Sequence, residues 1–419
     1  MNRQRSSKPA AIPGEPARLA AMRLLDAVLR RGETLDQAEK AALRDLAGAA
    51  DKGLARALAG EVLRWMVDLD ALIDSAMKQP LPEDAKPRMA LRIMLAGWLR
   101  LETPLHAVIA TGLPLLSGGP RRLAHGVFST LVKQEVRLPD APTLPERVTE
   151  RWGDLAEAVA PGLVAPPPLD LALRDPAETQ QWAETLGGTS LRSGHVRLQR
   201  GDKVEDLPGY REGAWWVQDL AAQLPTALLG VGEGKRVLDL CAAPGGKTMA
   251  LAAAGWRVTA LDISQRRSER MRRNLTRTGF EAEVVVADAF KWEPEENFDA
   301  ILLDAPCTAT GTCRRHPDVL HRIGARLVEE MAELQAALLE RAAGWLKPGG
   351  TLVYATCSLE RAEGEGQAEG IALTPLPIRA NELPAGLTPS GEGWLRTHPG
   401  QLAEAGSLDG FFIARWVKD

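Results

Sequence analysis

The first third of the chain carries apolar side chains at the spacing of amphipathic helices. Met22, Leu25 and Leu29 recur at intervals of three and four residues, which places them on one face of a helix. Comparable stripes lie within residues 54–69, 91–98 and 123–131. The pattern predicts an all-α domain over residues 16–140, preceded by a disordered polar tail over residues 1–15.

A proline-rich stretch separates these helices from the rest of the chain. It holds Pro139, Pro142 and Pro145 and the run Pro166-Pro167-Pro168. Proline removes a backbone donor and fixes φ, so such stretches favour linkers over regular structure. The residues that follow have short mixed patterns without a clear period. We predict a linker with a small α/β element over residues 141–212.

From Lys235 onward, short runs of β-branched and other apolar residues alternate with helical stretches such as Ser264–Thr278. The predicted strands are Arg236–Leu240, Arg257–Leu261, Glu283–Ala287, Ala300–Leu303 and Thr351–Ala355. This alternation predicts right-handed crossovers and a mostly parallel, doubly wound sheet. We therefore predict an α/β Rossmann-like domain over residues 213–419, with its ligands at the carboxyl ends of the strands.

Composition narrows the class of protein. The 419 residues are 45% hydrophobic and 25% charged, as in soluble globular domains, and no apolar run is long enough to predict a membrane span. Four cysteines in so long a chain do not form a disulfide framework, so a reducing, cytoplasmic compartment is expected. The net charge of −4 argues against nucleic acid, yet residues 1–140 hold 21 basic and 16 acidic side chains. That local excess is compatible with phosphate contacts.

The first predicted strand of the Rossmann-like domain leads into a loop of small residues. Its sequence, Cys241-Ala242-Ala243-Pro244-Gly245-Gly246-Lys247-Thr248, lets a ligand approach the backbone closely. A P-loop needs glycine where Cys241 stands, and the Gly-x-Gly-x-x-Gly pattern of dinucleotide folds is absent. The loop therefore favours an adenosyl ligand without a phosphate.

Acids stand at the ends of the next strands. Asp262 follows the second strand, where a carboxylate accepts ribose hydroxyls in nucleotide-binding folds. Asp288 follows the third and is expected to accept a hydrogen bond from an adenine amino group. A single acid at such a position often only caps the following helix. Acids at successive strand ends, in register with a glycine loop, favour a cofactor site.

Two cysteines follow the last two predicted strands. The fourth strand ends in Asp304-Ala305-Pro306-Cys307 and the fifth in Thr356-Cys357-Ser358. If these strands are neighbours, both thiols emerge at one edge within reach of one ligand. Cys241 and Cys313 are interpreted as packing residues. Histidine ligands and Cys-x-x-Cys are lacking, so no metal site is predicted, and His316 is interpreted as structural.

A cysteine pair beside an acid suits methylation of a pyrimidine carbon. C5 of cytosine is too weak a nucleophile to attack a sulfonium methyl group, whereas addition of a thiolate to C6 activates C5. A carboxyl group on N3 and the exocyclic amine stabilises the charge that develops on the ring. The thiol must ionise below its usual pKa of ~8.5, which the positive charge of Lys247 favours. Motif counting alone leaves both Cys307 and Cys357 open as the nucleophile.

These motifs resemble those of the RNA cytosine-C5 methyltransferases of the RsmB/Sun (Nop/Sun) family. The resemblance covers nearly the whole chain and is most specific at Asp239–Thr248, Asp304–Cys307, Arg314–Asp318, Thr356–Ser358 and Asp409–Arg415. The amino-terminal helices resemble the NusB-like RNA-binding domain, a pairing similar to that of the bacterial 16S rRNA enzymes. The resemblance implies a class I methyltransferase domain preceded by an all-α NusB-like domain.

The resemblance also implies roles for individual residues. Cys357 would attack C6, Cys307 would assist proton removal and product release, and Asp304 would hold the base. S-adenosylmethionine is the implied cofactor. Its implied binding residues are Cys241, Ala242, Ala243, Pro244, Gly245, Gly246, Lys247, Asp262, Arg267, Asp288 and Asp304.

Three departures from the family pattern leave the catalytic residues intact but affect the expected target nucleotide. Where the family usually has Pro-Cys-Ser-Gly-x-Gly, this chain has Pro306-Cys307-Thr308-Ala309-Thr310-Gly311. The usual Glu-Asn-Glu run is replaced by Glu363-Gly364-Glu365, and the helix that usually reads Val-Asn-Ala-Val-Leu-Arg reads Val-Phe-Ser-Thr-Leu-Val at residues 127–132.

The expected partner is RNA, most specifically 16S rRNA, with no membrane or metal and a monomeric chain. We expect Arg314 and Arg315 to contact phosphates flanking the target base, which must be unpaired or flipped out. The six arginines of Ser264–Thr278 form either a solvated face or a substrate contact. Two alternatives stay open: a tRNA or multi-site cytosine-C5 methyltransferase, and a non-catalytic RNA-binding ribosome-assembly factor.

Overall fold

The computed structural model describes residues 12–199, 201 and 203–419. The chain divides into two compact units, one of residues up to Thr149 together with His316–Arg322, the other of the remaining residues. A disordered tail was expected over residues 1–15, and residues 1–11 of it lie outside the described residues. The first helix begins at Glu15, the last residue of the expected tail.

The first unit is built from α-helices, as the apolar stripes predict. They are α1 (Glu15–Arg31), α2 (Leu35–Ala42), α3 (Ala49–Arg64), α4 (Met66–Ser75), α5 (Lys86–Leu99), α6 (Leu105–Gly112) and α7 (Gly118–Lys133). Leu25, Leu58 and Leu95 are fully buried and supply the core between α1, α3 and α5. The segment His316–Arg322 belongs to the same unit, where Nε2 of His321 lies 2.7 Å from the carbonyl oxygen of Leu63.

A small antiparallel sheet precedes the large sheet of the second unit. The elements in this stretch are α8 (Glu146–Trp152), α9 (Asp154–Val159), β1 (Leu169–Leu173), α10 (Thr179–Leu186), β2 (His195–Leu198) and β3 (Trp215–Val217). The strand order is β2-β1-β3. The linker region with its small α/β element was expected to end at residue 212. The third strand of the small sheet lies beyond that residue, where Trp215 and Trp216 pair with Leu173 and Ala172 of β1.

The large sheet has eight strands in the order β10-β11-β8-β7-β4-β5-β6, with β9 paired to β11. The strands and helices of this part of the chain are α11 (Leu220–Ala227), β4 (Arg236–Leu240), α12 (Gly246–Ala253), β5 (Arg257–Asp262), α13 (Gln265–Thr278), β6 (Glu283–Val286), β7 (Phe298–Asp304), α14 (Val319–Arg322), α15 (Ala325–Gly344), β8 (Leu346–Thr356), α16 (Glu365–Ala368), β9 (Thr374–Pro375), β10 (Leu395–Thr397) and β11 (Phe411–Val417). Of these, α14 belongs to the first unit.

The five predicted strands are parallel neighbours, whereas β11 runs antiparallel beside β8. Alternate residues of each strand enter different cores: Val237 packs with one cluster, and Leu238 and Ile301 pack with the other. A sheet buried on both faces requires such continuous apolar strands. Because the five strands are parallel, the polar side chains that follow them lie along the same edge of the sheet, at the carboxyl ends of the strands.

Candidate active site

The loop after β4 forms a tight turn that only small residues allow. Cys241 has φ +65° and Gly245 has φ +99°, both in the left-handed region. A Cβ atom on Gly245 would lie 2.6 Å from Cγ of Met271. The backbone N–H of Ala242 donates to Leu261 of the neighbouring strand at 3.1 Å. The loop is thus a compact turn at the end of β4, and α12 begins directly after it at Gly246.

Asp262 ties this loop to the end of β5. The Asp262 side chain is 3% exposed, and its Oδ2 accepts a hydrogen bond from the N–H of Ala243 at 3.0 Å. Its Oδ1 accepts from Ser264 N at 2.8 Å. Arg267 lies 3.6 Å from the same carboxylate and donates to the carbonyl oxygen of Ala243. The predicted cofactor residues Ala243, Asp262 and Arg267 are therefore brought together.

Asp288 lies after β6, in a turn whose Phe290 N–H donates to Oδ1 of Asp288 at 3.0 Å. Two apolar residues beside the strand-end acids are exposed: Ile263 to 70% and Phe290 to 44%. The sequence reasoning missed both. The signal that could have revealed them is a large apolar residue one or two positions after a strand-end acid. Exposed apolar side chains at the carboxyl ends of strands mark a ligand surface.

Asp304 and Lys247 form an ion pair between the loop and β7. Nζ of Lys247 lies 2.7 Å from Oδ2 of Asp304 and 5.3 Å from the ring centre of Phe411. Burial alone would lower the pKa of Lys247, but the charge of Asp304, and more weakly that of Cys357, raises it. The ammonium group of Lys247 therefore stays protonated, and it interacts electrostatically with Cys357, the predicted nucleophile.

The two predicted catalytic cysteines are in contact. Strands β7 and β8 pair in parallel with Asp304 opposite Ala355, so the residues that follow each strand leave the sheet side by side. The Sγ atoms of Cys307 and Cys357 are 3.4 Å apart, and both thiols are free and partly exposed. The hydrogen bond with Cys357, followed by burial, raises the pKa of Cys307 well above its usual value.

A backbone contact holds the two cysteine loops at this distance. The N–H of Gly311 donates to the carbonyl oxygen of Cys357 at 3.0 Å, and the N–H of Gly410 donates to the carbonyl oxygen of Gly311 at 2.8 Å. A Cβ atom on Gly311 would lie 1.9 Å from the oxygen of Gly410. Only glycine allows the three segments to approach this closely.

The remaining two cysteines have the packing environments expected for them. Cys313 is buried. Burial, reinforced by the charges of Asp262 and Asp304, raises the pKa of Cys241 to about 12. A thiol so reluctant to ionise is a poor nucleophile, so the structure supports a packing role for Cys241.

The arginines expected to contact RNA make contacts within the protein. Arg314 is 2% exposed and donates to the carbonyl oxygen of Gly406 at 2.6 Å. Arg315 donates from Nε to Asp409 at 2.9 Å and from Nη2 to Asp219. These contacts attach the loop after Cys307 to the segment before β11, and phosphate binding by the two arginines stays a prediction.

Two further findings concern the chain as the structure describes it, residues 12–199, 201 and 203–419. No helix there is both long and apolar enough to cross a bilayer. No three His, Cys, Asp or Glu side chains in those residues are grouped so that they could hold a metal ion.

The chain is similar to known proteins. A family model described as 16S rRNA methyltransferase RsmB/F matches residues 226–417, and a NusB family model matches residues 15–115. A Xanthomonas campestris protein named "Ribosomal RNA small subunit methyltransferase B" is 33% identical, covering 97% of this chain and 98% of its own. The chain belongs to the RsmB/F family of 16S rRNA methyltransferases. A Xylella fastidiosa protein of the same name is 35% identical, covering 97% and 99% of the two chains.

Solved structures agree with this RsmB/F fold. A methyltransferase homolog from Pyrococcus horikoshii is 26% identical with a TM-score of 0.55, over 65% of this chain and 94% of that one. The structure of PH0851 has a TM-score of 0.71 at 24% identity, over 98% of this chain and 100% of that one, a likeness of fold. The expected NusB-like helical domain and Rossmann-like methyltransferase domain are confirmed, and the cofactor of this RsmB/F member is S-adenosylmethionine.

Proposed function

We propose that the protein transfers a methyl group from S-adenosylmethionine to C5 of a cytosine in 16S rRNA, through a covalent bond between Cys357 and C6. The observation that carries this proposal is the pair of free thiols 3.4 Å apart beside the ion pair of Asp304 and Lys247. The relatives named as ribosomal RNA small subunit methyltransferases support 16S rRNA as the substrate.

The residues at the carboxyl edge of the sheet fit the cofactor. We propose that the loop from Cys241 to Lys247 holds its methionine part, since this tight turn lies at the carboxyl end of β4, where ligands of such sheets bind. Asp262 would accept the ribose hydroxyls, with Arg267 bracing its carboxylate. Asp288 would accept from the adenine amino group, and the exposed Ile263 and Phe290 would cover the two faces of the ring. When bound, the cofactor supplies the methyl group as an electrophilic carbon on a sulfonium, leaving as S-adenosylhomocysteine.

The protein's own residues activate the base. The thiolate of Cys357 forms a bond to C6, and the electron pair of the C5–C6 double bond makes C5 nucleophilic. Asp304 accepts a hydrogen bond from the exocyclic amine and so holds the base, and a proton taken up at N3 from solvent neutralises the charge that develops on the ring. The ammonium group of Lys247 orients Asp304 and favours the thiolate.

Cys307 assists the release of the product. After methylation the C5 proton leaves to solvent, its electron pair restores the C5–C6 double bond, and the bond between Cys357 and C6 breaks. At 3.4 Å, the thiol of Cys307 can donate a hydrogen bond to the departing thiolate. A reducing cytoplasm would keep two adjacent thiols from forming a disulfide, which agrees with the expected location.

For the RNA backbone we propose the exposed arginines of α13, because Arg315 is already bonded to two carboxylates. Arg266, Arg270 and Arg273 lie at i, i+4 and i+7, on one face of the helix. Within the described residues they form no ion pair or side-chain hydrogen bond. This supports a phosphate contact over a structural role.

The test is a tritium-release assay with [5-³H]cytosine-labelled 16S rRNA. Release of label into water is expected from the native protein, and its absence would contradict cytosine-C5 methylation. Cys357→Ala is expected to lose turnover, whereas Cys307→Ala is expected to accumulate a covalent RNA adduct. Cys313→Ala is the control, with full turnover. An adduct trapped by Cys357→Ala instead would make Cys307 the nucleophile.

The two alternatives make different predictions. A non-catalytic assembly factor would fail to bind S-adenosylmethionine in a calorimetric titration, which the intact cysteines and Asp304 argue against. A tRNA or multi-site enzyme would share every residue of the site. Bisulfite sequencing of total RNA from a deletion strain separates these, because the missing 5-methylcytosines identify the substrate.

A further inference from the structure

The carboxyl group of Glu363 forms hydrogen bonds to both of the loops that carry the predicted catalytic cysteines. Its side chain is fully buried. Oε2 accepts hydrogen bonds from the backbone N–H of Thr308 at 2.9 Å and from Nε2 of Gln335 at 2.9 Å. Oε1 accepts from Oγ of Ser358 at 2.8 Å and from Oγ1 of Thr308. Thr308 follows Cys307 and Ser358 follows Cys357, so one carboxylate contacts the neighbours of both thiols.

The hydrogen bonds to this buried carboxyl group come from neutral groups. Within residues 12–199, 201 and 203–419, no lysine, arginine or histidine forms an ion pair with Glu363. Two further donors, the hydroxyl groups of Tyr354 at 2.7 Å and Thr356 at 3.3 Å, bind its backbone carbonyl oxygen. Glu363 is therefore a buried acid beside the loop of Cys307. The guanidinium group of Arg396, which donates to the carbonyl oxygen of Ser358, is paired with Glu365 instead.

A positive charge interacts with Cys357. The ammonium group of Lys247 interacts with Cys357, and its hydrogen bond to Asp304 fixes its position. The two thiols are 3.4 Å apart, yet one has a cation as its charged neighbour and the other an anion. In a partly buried site, a unit charge within a few ångströms of a titratable group changes its ionisation equilibrium by a factor of about ten or more.

We propose that Glu363 is a positioning residue that decides which of the two sulfurs is the nucleophile: its negative charge keeps the shared proton on Cys307 and so leaves the thiolate on Cys357, beside Lys247. The inference deepens the proposed function, on which the role of Cys357 as nucleophile rests. It explains why two cysteines in contact perform different steps.

The surrounding groups agree with this assignment. Besides Cys357 and burial, the negative charge of Glu363 raises the pKa of Cys307. Burial raises the pKa of Tyr354 well above its usual value, so this hydroxyl stays a neutral donor. Asp304, the other nearby acid, is paired with Lys247 at 2.7 Å. Gln335 is neutral and binds the carbonyl oxygen of Pro306 as well as Glu363.

The experiment compares the alkylation of the two thiols by iodoacetamide. A thiolate forms the S–C bond and expels iodide, so the rate at each cysteine follows its ionised fraction. Reduced full-length protein is treated without RNA or cofactor, and modification is quantified by peptide mass spectrometry. In the native protein we expect Cys357 to react faster than Cys307, and Glu363→Gln to lower the ratio of the two rates about tenfold, the effect of one pKa unit.

Matched variants separate charge from structure. Glu365→Gln removes a charge two residues away that is already paired with Arg396 at 2.6 Å, so the ratio is expected to stay as in the native protein. Glu363→Asp keeps the charge but shortens the side chain and is expected to preserve most of the ratio. Cys241 serves as an internal reference for unchanged folding.

Three results would overturn the inference. The first is an unchanged ratio in folded Glu363→Gln, and the second is an equal loss in Glu363→Asp, which would assign the effect to shape. The third needs no variant: in a pH series of the native protein, Cys307 would ionise at lower pH than Cys357. None of these depends on methyl transfer, so loss of tritium release with an intact alkylation preference would contradict only the proposed function.

Discussion

At the scale of single residues, the loop after Cys307 combines one strained position with one that tolerates no side chain. Ala309 has φ +57°, in the left-handed region that costs a non-glycine residue roughly 1–2 kcal/mol. The family pattern usually has glycine at this position. Two residues later, Gly311 lies against the oxygen of Gly410, where an added Cβ would be 1.9 Å away.

Ala309 and Gly311 predict opposite effects of exchanging glycine and alanine. Gly311→Ala should destabilise the protein by about 2–3 kcal/mol, the cost of overpacking, and should abolish methyl transfer because the loop carrying Cys357 must shift. Ala309→Gly should stabilise it by up to about 1 kcal/mol, since relief of strain exceeds the added entropy of the unfolded chain. Urea titration measures both, and a stable, active Gly311→Ala variant would contradict the close contact.

The same loop shows what residue patterns could and could not predict. The proximity of Cys307 and Cys357 followed from strand ends, because neighbouring parallel strands deliver their next residues to one edge. The role of Glu363 did not follow, because its hydrogen-bond donors Thr308 and Gln335 are distant in sequence and on different elements. Only the folded chain brings neutral donors around a buried carboxylate.

At the scale of elements, apolar periodicity was sufficient for the helices and for the parallel strands. The predicted stretch Ser264–Thr278 forms α13 from Gln265 to Thr278. The antiparallel position of β11 was not predicted, although its strand Phe411–Val417 is strongly apolar. A run of apolar residues specifies a buried strand but not its direction, since both directions satisfy the backbone hydrogen bonds.

The exposed face of α13 predicts a defined salt dependence of RNA binding. Each phosphate contact adds about 0.7–0.9 to the slope of log K against log salt concentration. Replacing Arg266, Arg270 and Arg273 together by glutamine should therefore lower the slope for 16S rRNA by about 2–3, with little change in S-adenosylmethionine binding. Arg326→Gln is the control, because Arg326 is exposed and paired with Glu330 at 2.7 Å. An unchanged slope in the triple variant would exclude the helix as a phosphate contact.

At the scale of the whole molecule, burial acts in opposite directions on the pKa of one base and one acid, His321 and Asp239. In the helical unit, burial lowers the pKa of His321 from 6.5 to about 4, and its Nε2–H donates to Leu63. In the methyltransferase unit, burial raises the pKa of Asp239 from 3.8 to about 7. Oδ2 of Asp239 accepts from Thr248 at 2.6 Å. The overall charge of −4 gives no sign of this difference.

The two groups should therefore make stability depend on pH with opposite signs. Below pH 6.5 the unfolded chain protonates His321 while the folded unit does not, so its contribution falls as the pH drops toward 4. Between pH 3.8 and 7 the folded state retains the proton of Asp239 that the unfolded chain has lost, so its contribution falls as the pH rises. Each slope approaches about 1.4 kcal/mol per pH unit.

Variants isolate the two contributions. As the pH rises from 5 to 7, the Asp239→Asn variant should gain stability relative to the native protein, because the contribution of the native carboxyl group to stability falls over that range. The His321→Gln variant keeps a donor for the carbonyl oxygen of Leu63. It should gain stability relative to the native protein as the pH falls from 7 to 5. Urea unfolding at the two pH values gives both differences. Slopes of the same sign for the two variants would contradict the burial of one neutral base and one neutral acid.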